Sequence, residues 1–177
     1  AAEQLPRWPT NAQARVLMAD PLAMQELLRR WQRQRPATMR GVIWFRLPLA
    51  TDKLNWRLQT LQALIYDRPL RADLVLKRKI NRTLWEIQLH NRGTLAAAMP
   101  REIRLDWSAS SVCLLSADAV GPYRTHAPRQ ITSGVVWQKR APLPTARFLP
   151  GQQLAVGWLR FCRNAPEPSE VRDALLY

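Results

Sequence analysis

The spacing of apolar residues changes along the chain, from a helical repeat in the first third to alternation in the remainder. Asp20 suits the N-cap of a helix and Pro21 suits its first position. An apolar stripe follows them, formed by Leu22, Leu27, Leu28 and Trp31. These signals predict a helix over residues 21–34.

Short apolar runs flank this helix on both sides. Residues 14–19 read as a buried strand, and residues 41–48, between Gly41 and Pro48, read as another. Thr51 or Asp52 then caps a second predicted helix, which continues through about residue 66. Strand, helix and strand in this order predict a parallel βαβ unit.

From residue 70 the apolar period becomes two, which predicts an all-β region. About seven short strands, separated by turn sequences such as NRG, GPY and PGQ, favour a β-sandwich. The predicted strands are LVLKRKI, TLWEIQLHN, REIRLDW, VCLLSAD, GVVWQKR, ARFLP and LAVGWLRF. The predicted fold class is therefore α+β, a partial β/α segment at 1–69 followed by a sandwich-like domain at 70–163. Residues 164–177 are polar and rich in proline, and we expect them to form a loosely held tail with at most one helical turn.

Composition adds three observations to this picture. The formal net charge is +14, which invites nucleic-acid binding, but the basic residues are scattered through every segment and form no single block. No uninterrupted apolar run of transmembrane length occurs, so no membrane span is expected. The two cysteines, Cys113 and Cys162, lack a metal-binding spacing and form either buried thiols or a disulfide between two strands.

The segments RVLMADPLAMQELLRRWQ, GVIWFRLPLATDKLNW, TLWEIQLHNRGT and LPGQQLAVGWLRF resemble the carboxyl-terminal part of domain-of-unknown-function family 3142. This resemblance implies a glycoside-hydrolase-like β/α barrel followed by a β-sandwich. Residues 14–66 would be the last β/α units of that barrel. Because two such units cannot close a barrel, either the sandwich covers them or another protein chain supplies the missing part. The resemblance favours a location in the bacterial periplasm or cell envelope.

The candidate substrate-binding residues are Trp44, Arg46 and Asp52. Trp44 and Arg46 are two residues apart on the predicted strand 41–48, so their side chains lie on one side of it. Trp44 could then stack on a sugar and Arg46 could bind a carboxylate or phosphate. In the structural alternative, Trp44 belongs to the core and Arg46 pairs with Asp52.

No other motif identifies a reaction. Asp20 and Asp52 are more typical of helix caps, and the strand carboxylates Glu86, Glu102 and Asp106 are more typical of outward positions, so catalytic residues stay unassigned. We expect neither a cofactor nor a metal site. Four tryptophans fall in predicted strands and are expected mostly in the core, although one exposed tryptophan could bind a glycan. We expect a non-catalytic part that binds carbohydrate or protein within a glycoside-hydrolase-like protein. The alternative is an arginine-rich module that binds nucleic acid or an acidic protein.

Overall fold

The computed structural model describes residues 19–49, 51–52, 55–107, 112–126, 133–140, 147–162 and 165–177. Within these ranges two helices precede two four-stranded antiparallel sheets. The order of elements agrees with the predicted change of apolar period near residue 70. None of the described helices is long and apolar enough to cross a membrane.

The first helix, α1, spans Pro21–Arg33 and confirms the sequence prediction. The Asp20 carboxylate accepts a hydrogen bond from the Leu22 backbone N–H at 3.0 Å, as expected of an N-cap. Other side chains of α1 contact residues 67 and 68, which follow the second helix. The Gln25 amide donates to the Arg68 carbonyl oxygen at 2.9 Å, and Arg29 pairs with Asp67 at 2.8 Å.

The second helix, α2, spans Leu58–Ile65 and is shorter than predicted. Its N-cap is Arg57, so the prediction that Thr51 or Asp52 caps it is wrong. The physical reason lies in the side chain of Asp52. Its carboxylate accepts hydrogen bonds from the Leu49 backbone N–H and from Arg46, and it is therefore engaged ahead of the helix.

The predicted strand over residues 41–48 is absent, since these residues are irregular with a bend at 45–46. A strand exists only where its backbone pairs with a neighbouring strand, and no described residue supplies such a neighbour. The other predicted strand of the unit, at 14–19, lies outside the described residues except for Ala19. The described residues therefore contain no parallel βαβ unit.

The eight strands form two sheets that share one core. The first sheet has the strand order β1-β2-β7-β4 and the second has the order β5-β6-β3-β8. Their strands are β1 Leu74–Asn81, β2 Leu84–Asn91, β3 Glu102–Trp107, β4 Leu114–Ala119, β5 Tyr123–His126, β6 Gly134–Lys139, β7 Gln153–Phe161 and β8 Val171–Leu176.

Alternation of buried and outward residues builds the core between the sheets. Trp85 and Leu159 come from the first sheet and Trp137 from the second, and each side chain is no more than 1% exposed. Phe161 packs edge-on against two tryptophans, Trp85 and Trp107, with ring centroids 5.1 Å and 5.6 Å apart. This arrangement fits the predicted β-sandwich.

Three predictions in the β region need correction. The segment ARFLP at 146–150 forms no strand in its described part, where Phe148 makes only an isolated bridge to Ala97. Strand β5 was not predicted, because its residues YRTH are short and polar and its pairing with β6 holds it. The prediction of a loosely held tail at 164–177 is wrong for residues 171–176, since β8 pairs with β3 along its whole length.

Candidate functional site

Residues 21–65, which contain both helices, are called the α1/α2 segment. The three predicted site residues lie close together in this segment, in the chain between α1 and α2. Arg46 Nη2 lies 2.9 Å from Asp52 Oδ1, and the Trp44 and Trp56 ring centroids are 6.4 Å apart. Trp44, Arg46 and Trp56 line an open cavity of about 440 Å³. The argument that placed Trp44 and Arg46 on one side of a strand fails, but both side chains nevertheless face this cavity.

Asp52 is the most firmly held member of the group. Its side chain is 12% exposed and accepts a hydrogen bond from the Leu49 backbone N–H at 2.8 Å. That hydrogen bond is the main reason that the pKa of Asp52 is lowered, and Arg46 lowers it further while partial burial opposes both effects. Asp52 is therefore a charged anchor for the bend at 45–46.

Arg46 has room to bind a ligand beside its ion pair. Its side chain is 56% exposed, and only its Nη2 atom contacts Asp52. The guanidinium has five N–H donors, so several remain directed to solvent or to a ligand. The geometry thus combines the structural pairing with Asp52 and an accessible cation, which the sequence had presented as alternatives.

The most unusual property of this region is the exposure of apolar side chains along residues 42–49, which we call the apolar segment. Ile43 is 94% exposed and Phe45 is 99% exposed, while Leu47 and Leu49 are 62% and 58% exposed. Scattered apolar residues are normal on protein surfaces, whereas a contiguous set of this kind marks an interaction surface.

The backbone of the apolar segment has few hydrogen-bond partners among the described residues. Within the described part of the chain, no hydrogen bond links the backbone of residues 42–48 to another residue. The Leu49 N–H, at the end of the segment, donates to Asp52. Backbone N–H and C=O groups without a described partner can pair with another chain, as those of a sheet edge do, although these residues are irregular and bend at 45–46.

The neighbouring helices add to this surface with some of their apolar side chains. In α1 the only buried residue is Gln25, and the apolar stripe of the helix stays partly accessible. Leu22 is 52% exposed and Leu58, at the start of α2, is 44% exposed. In contrast, α2 buries Leu61, Ala63 and Leu64, so the accessible apolar surface of the helices comes from α1 and from the start of α2.

Several basic residues have structural partners among the described residues. Arg29 pairs with Asp67 and Arg78 pairs with Asp173, both at 2.8 Å. The Arg35 side chain donates to the carbonyl oxygens of Met39 and Arg40. Several arginines thus serve local structure, which weakens the reading of the positive charge as one nucleic-acid surface.

Three of the carboxylates near predicted strands also have structural partners. Asp20 caps α1, Glu86 lies 3.4 Å from Lys79, and Glu102 lies 3.0 Å from Arg104. Among the described residues there is no group of three or more His, Cys, Asp or Glu side chains that could hold a metal ion. The geometry accordingly assigns no catalytic residue.

Sequence reasoning missed one residue with functional geometry, Trp158. Trp85, Trp107 and Trp137 are buried as expected, but Trp158 is only half-buried and lines a cavity on the outer face of the first sheet. The available signal was the parity of β7, because the residue next to a core Leu159 must face the opposite side.

Comparisons with known proteins identify two families. The model of the family Domain of unknown function (DUF3142) matches residues 6–50, which confirms that part of the resemblance seen in the sequence. A second model, that of the family Domain of unknown function (DUF8456), matches residues 74–163. A search of the curated proteins finds no match. Since the second match covers just over half of the 177 residues, the chain belongs to the family Domain of unknown function (DUF8456).

Proposed function

We propose that the chain is a non-catalytic, protein-binding part of a glycoside-hydrolase-like protein. Its apolar segment docks onto a polypeptide that supplies the remaining units of a β/α barrel. The observation that carries this proposal is the exposure of Ile43 and Phe45, at 94% and 99%. Side chains of this size rarely stay in water when a partner is present.

The free-energy gain from covering these side chains is large enough to support a specific complex. Burial of one Ile or Phe side chain contributes about 1.5–3 kcal/mol before the entropic costs of association. The partly exposed Leu47 and Leu49 add smaller contributions of the same kind. A continuous surface of four such residues therefore favours association over permanent exposure.

The unpaired backbone specifies what the partner must offer. Free N–H and C=O groups along residues 42–48 are matched best by an extended strand that adds to them by main-chain hydrogen bonds. Such a strand would complete the pairing that the sequence pattern of 41–48 predicts. The match of family DUF3142 to residues 6–50 supports this assignment, because the apolar segment lies inside the matched unit.

The absence of turnover is part of the proposal. In a β/α barrel the active site is assembled from loops that follow several strands, and the α1/α2 segment would contribute only a small share of them. Trp44, Arg46 and Asp52 would lie at the rim of that assembled site. There the exposed Arg46 guanidinium could contact an anionic or hydroxyl-rich substrate group.

We also propose that the protein acts in an oxidising compartment, such as the bacterial periplasm. The disulfide between Cys113 and Cys162 supports this location. Disulfides persist in secreted and periplasmic proteins and are rare in a reducing cytosol.

Site-specific photo-cross-linking in the native host tests the proposal. Benzoylphenylalanine replaces Phe45 in one variant and Gln62, an exposed polar residue of α2, in a control variant. We expect position 45 to cross-link to a single protein through a peptide of a β/α unit, and position 62 to give no such product.

Three outcomes would contradict the proposal. The first is no product at position 45, and the second is equal labelling at positions 45 and 62. The third is a product that joins two copies of this chain, which would indicate self-association. Retention of the chain on DNA or heparin through a cluster of arginines, with no protein partner, would favour the arginine-rich alternative.

A further inference from the structure

The outer face of the first sheet carries a second candidate site, remote in sequence from the apolar segment. Leu159 on β7 and Ile87 on β2 are buried in the core. Because side chains alternate along a strand, their neighbours Trp158 and Glu86 project from the opposite, outer face. This face is covered by no described element, since the second sheet packs on the inner side.

The strand register brings a defined set of side chains together on this face. Trp158 pairs with Glu86 of β2 on one side and with Asp118 of β4 on the other. Glu86 in turn pairs with Lys79 of the edge strand β1, 3.4 Å away between Nζ and Oε2. One row across four strands therefore holds an aromatic ring between two carboxylates.

Small residues beside the ring create a hollow. Ala155 lies opposite Gln88, and the register shifts between Ile87 and Gln88 where β7 passes through Gly157. The resulting cavity has a volume of about 400 Å³ and is lined by Trp158, Gln88 and Arg160 among others. This volume lies within the range typical of small-ligand sites.

Polar groups at the hollow are available to a ligand. Within the described residues, neither the Gln88 amide nor the Arg160 guanidinium makes a side-chain hydrogen bond or an ion pair. The Glu86 carboxylate has one partner, Lys79, and keeps further acceptor capacity. An amide, a guanidinium and a carboxylate around one ring supply both donors and acceptors.

We propose that this hollow binds a neutral glycan, with a pyranose ring stacked on Trp158 and its hydroxyl groups hydrogen-bonded to Gln88, Glu86 and Arg160. The C–H face of a sugar packs on an aromatic ring, while the hydroxyl edge needs paired donors and acceptors. The proposal goes beyond the protein-binding function, because it concerns a different surface with a different ligand.

The charged side chains around the hollow bear on whether its ligand is a neutral glycan or a polyanion. The chain as a whole carries +14, but the outer face places Glu86 and Asp118 among Lys77, Lys79 and Arg160. Carboxylates beside the ring repel phosphate and sulfate groups, whereas they accept hydrogen bonds from sugar hydroxyls. Three cations against two carboxylates leave a local charge of only +1, so this face attracts nucleic acid and sulfated glycans less than the net charge of +14 suggests.

Isothermal titration with cellohexaose, xylohexaose, chitohexaose and maltohexaose tests the site. At least one oligosaccharide should bind, and Trp158→Ala should weaken that binding by about tenfold or more. Trp158→Tyr should retain a part of the affinity because it keeps a ring. Gln88→Ala should weaken binding without removing it.

Tyr177→Ala is the matched control, because it removes an exposed aromatic ring that follows β8 of the second sheet, and the affinity of this variant should equal that of the wild type. Circular dichroism of each variant checks that the sheets stay folded. Failure of all four oligosaccharides to bind at millimolar concentration would overturn the proposal. Binding that survives Trp158→Ala, or binding of heparin that depends on Trp158, would overturn it as well.

Discussion

Removing the disulfide between Cys113 and Cys162 should cost the sandwich a large part of its stability. Cys113 precedes β4 and Cys162 follows β7, and these two strands are neighbours in the first sheet. The Cys162 N–H also donates to the Cys113 carbonyl oxygen at 2.8 Å. The fold therefore holds the two cysteines together even without the covalent bond, so reduction should act mainly on the unfolded chain.

The size of the effect follows from the loop that the bond closes. The cysteines are 49 residues apart in sequence. In the chain-entropy model, cross-linking a loop of this length removes freedom from the unfolded chain worth about 4 kcal/mol at room temperature. Domains of this size are stable by roughly 5–15 kcal/mol in total. Loss of the bond should therefore move the unfolding midpoint to a much lower denaturant concentration.

Urea unfolding followed by tryptophan fluorescence measures this difference. The wild type is compared with and without reductant, and a double variant, Cys113→Ser with Cys162→Ser, is the control. Reduced wild type and the double variant should unfold at the same lower midpoint, and reductant should leave the double variant unchanged. Equal unfolding free energies for oxidised and reduced wild type would refute the reasoning, as would two free thiols in the purified protein.

Three further predictions concern individual residues. Arg46→Ala should leave the melting temperature nearly unchanged, because the arginine is 56% exposed and Asp52 keeps its hydrogen bond from Leu49. A large fall in the melting temperature, measured by circular dichroism, would show a structural role for Arg46 instead. Burial, helped by Lys77 and Arg92, lowers the pKa of His90 from 6.5, so protonation favours the unfolded chain and stability falls as the pH drops below 6.5. His90→Gln should flatten that fall in unfolding experiments, and an unchanged pH dependence would contradict the argument. Gly157→Ala should cost about 1–3 kcal/mol, since a Cβ there would lie 2.3 Å from the Asp118 carbonyl oxygen and 2.5 Å from Trp137 Nε1. Gly41→Ala is its control, with no atom within 4 Å of the added carbon, and equal urea midpoints for the two variants would contradict the expected clash.

Elements whose signals are local could be predicted from the sequence. Helix α1 needs only its cap Asp20, its first residue Pro21 and an apolar stripe, and all three lie within one short segment. Most strands of the sandwich could also be predicted, because the alternation of apolar and polar residues places large apolar side chains on one face, as in β2 and β3.

Elements that depend on distant partners could not be predicted. Strand β8 contains Arg172 and Asp173 and reads as polar, and it forms because β3 pairs with it and Arg78 contacts Asp173. The opposite error affected 41–48, where the pattern indicates a strand but no described neighbour pairs with it. Pairing partners lie outside any local window, so both errors have one cause.

The outward position of Trp158 was hidden for a related reason. Strand β7 is apolar on both faces over much of its length, so composition does not reveal which residues face the core. Parity assigns Trp158 to the outer face only after Leu159 is placed in the core. The role of Asp52 was equally hidden, because its partner Leu49 contributes a backbone N–H that sequence patterns do not record.

Hydrogen exchange of the backbone amides in the apolar segment tests the central claim most directly. In the isolated chain, the amides of Val42, Ile43, Phe45 and Leu47 should exchange at rates close to those of an unfolded peptide, because no described residue accepts their hydrogen bonds. In the complex purified from the native host, the same amides should exchange slower by about a hundredfold or more, since a partner strand would pair with them. Equal exchange in the isolated chain and in the complex would contradict the proposed docking of this segment.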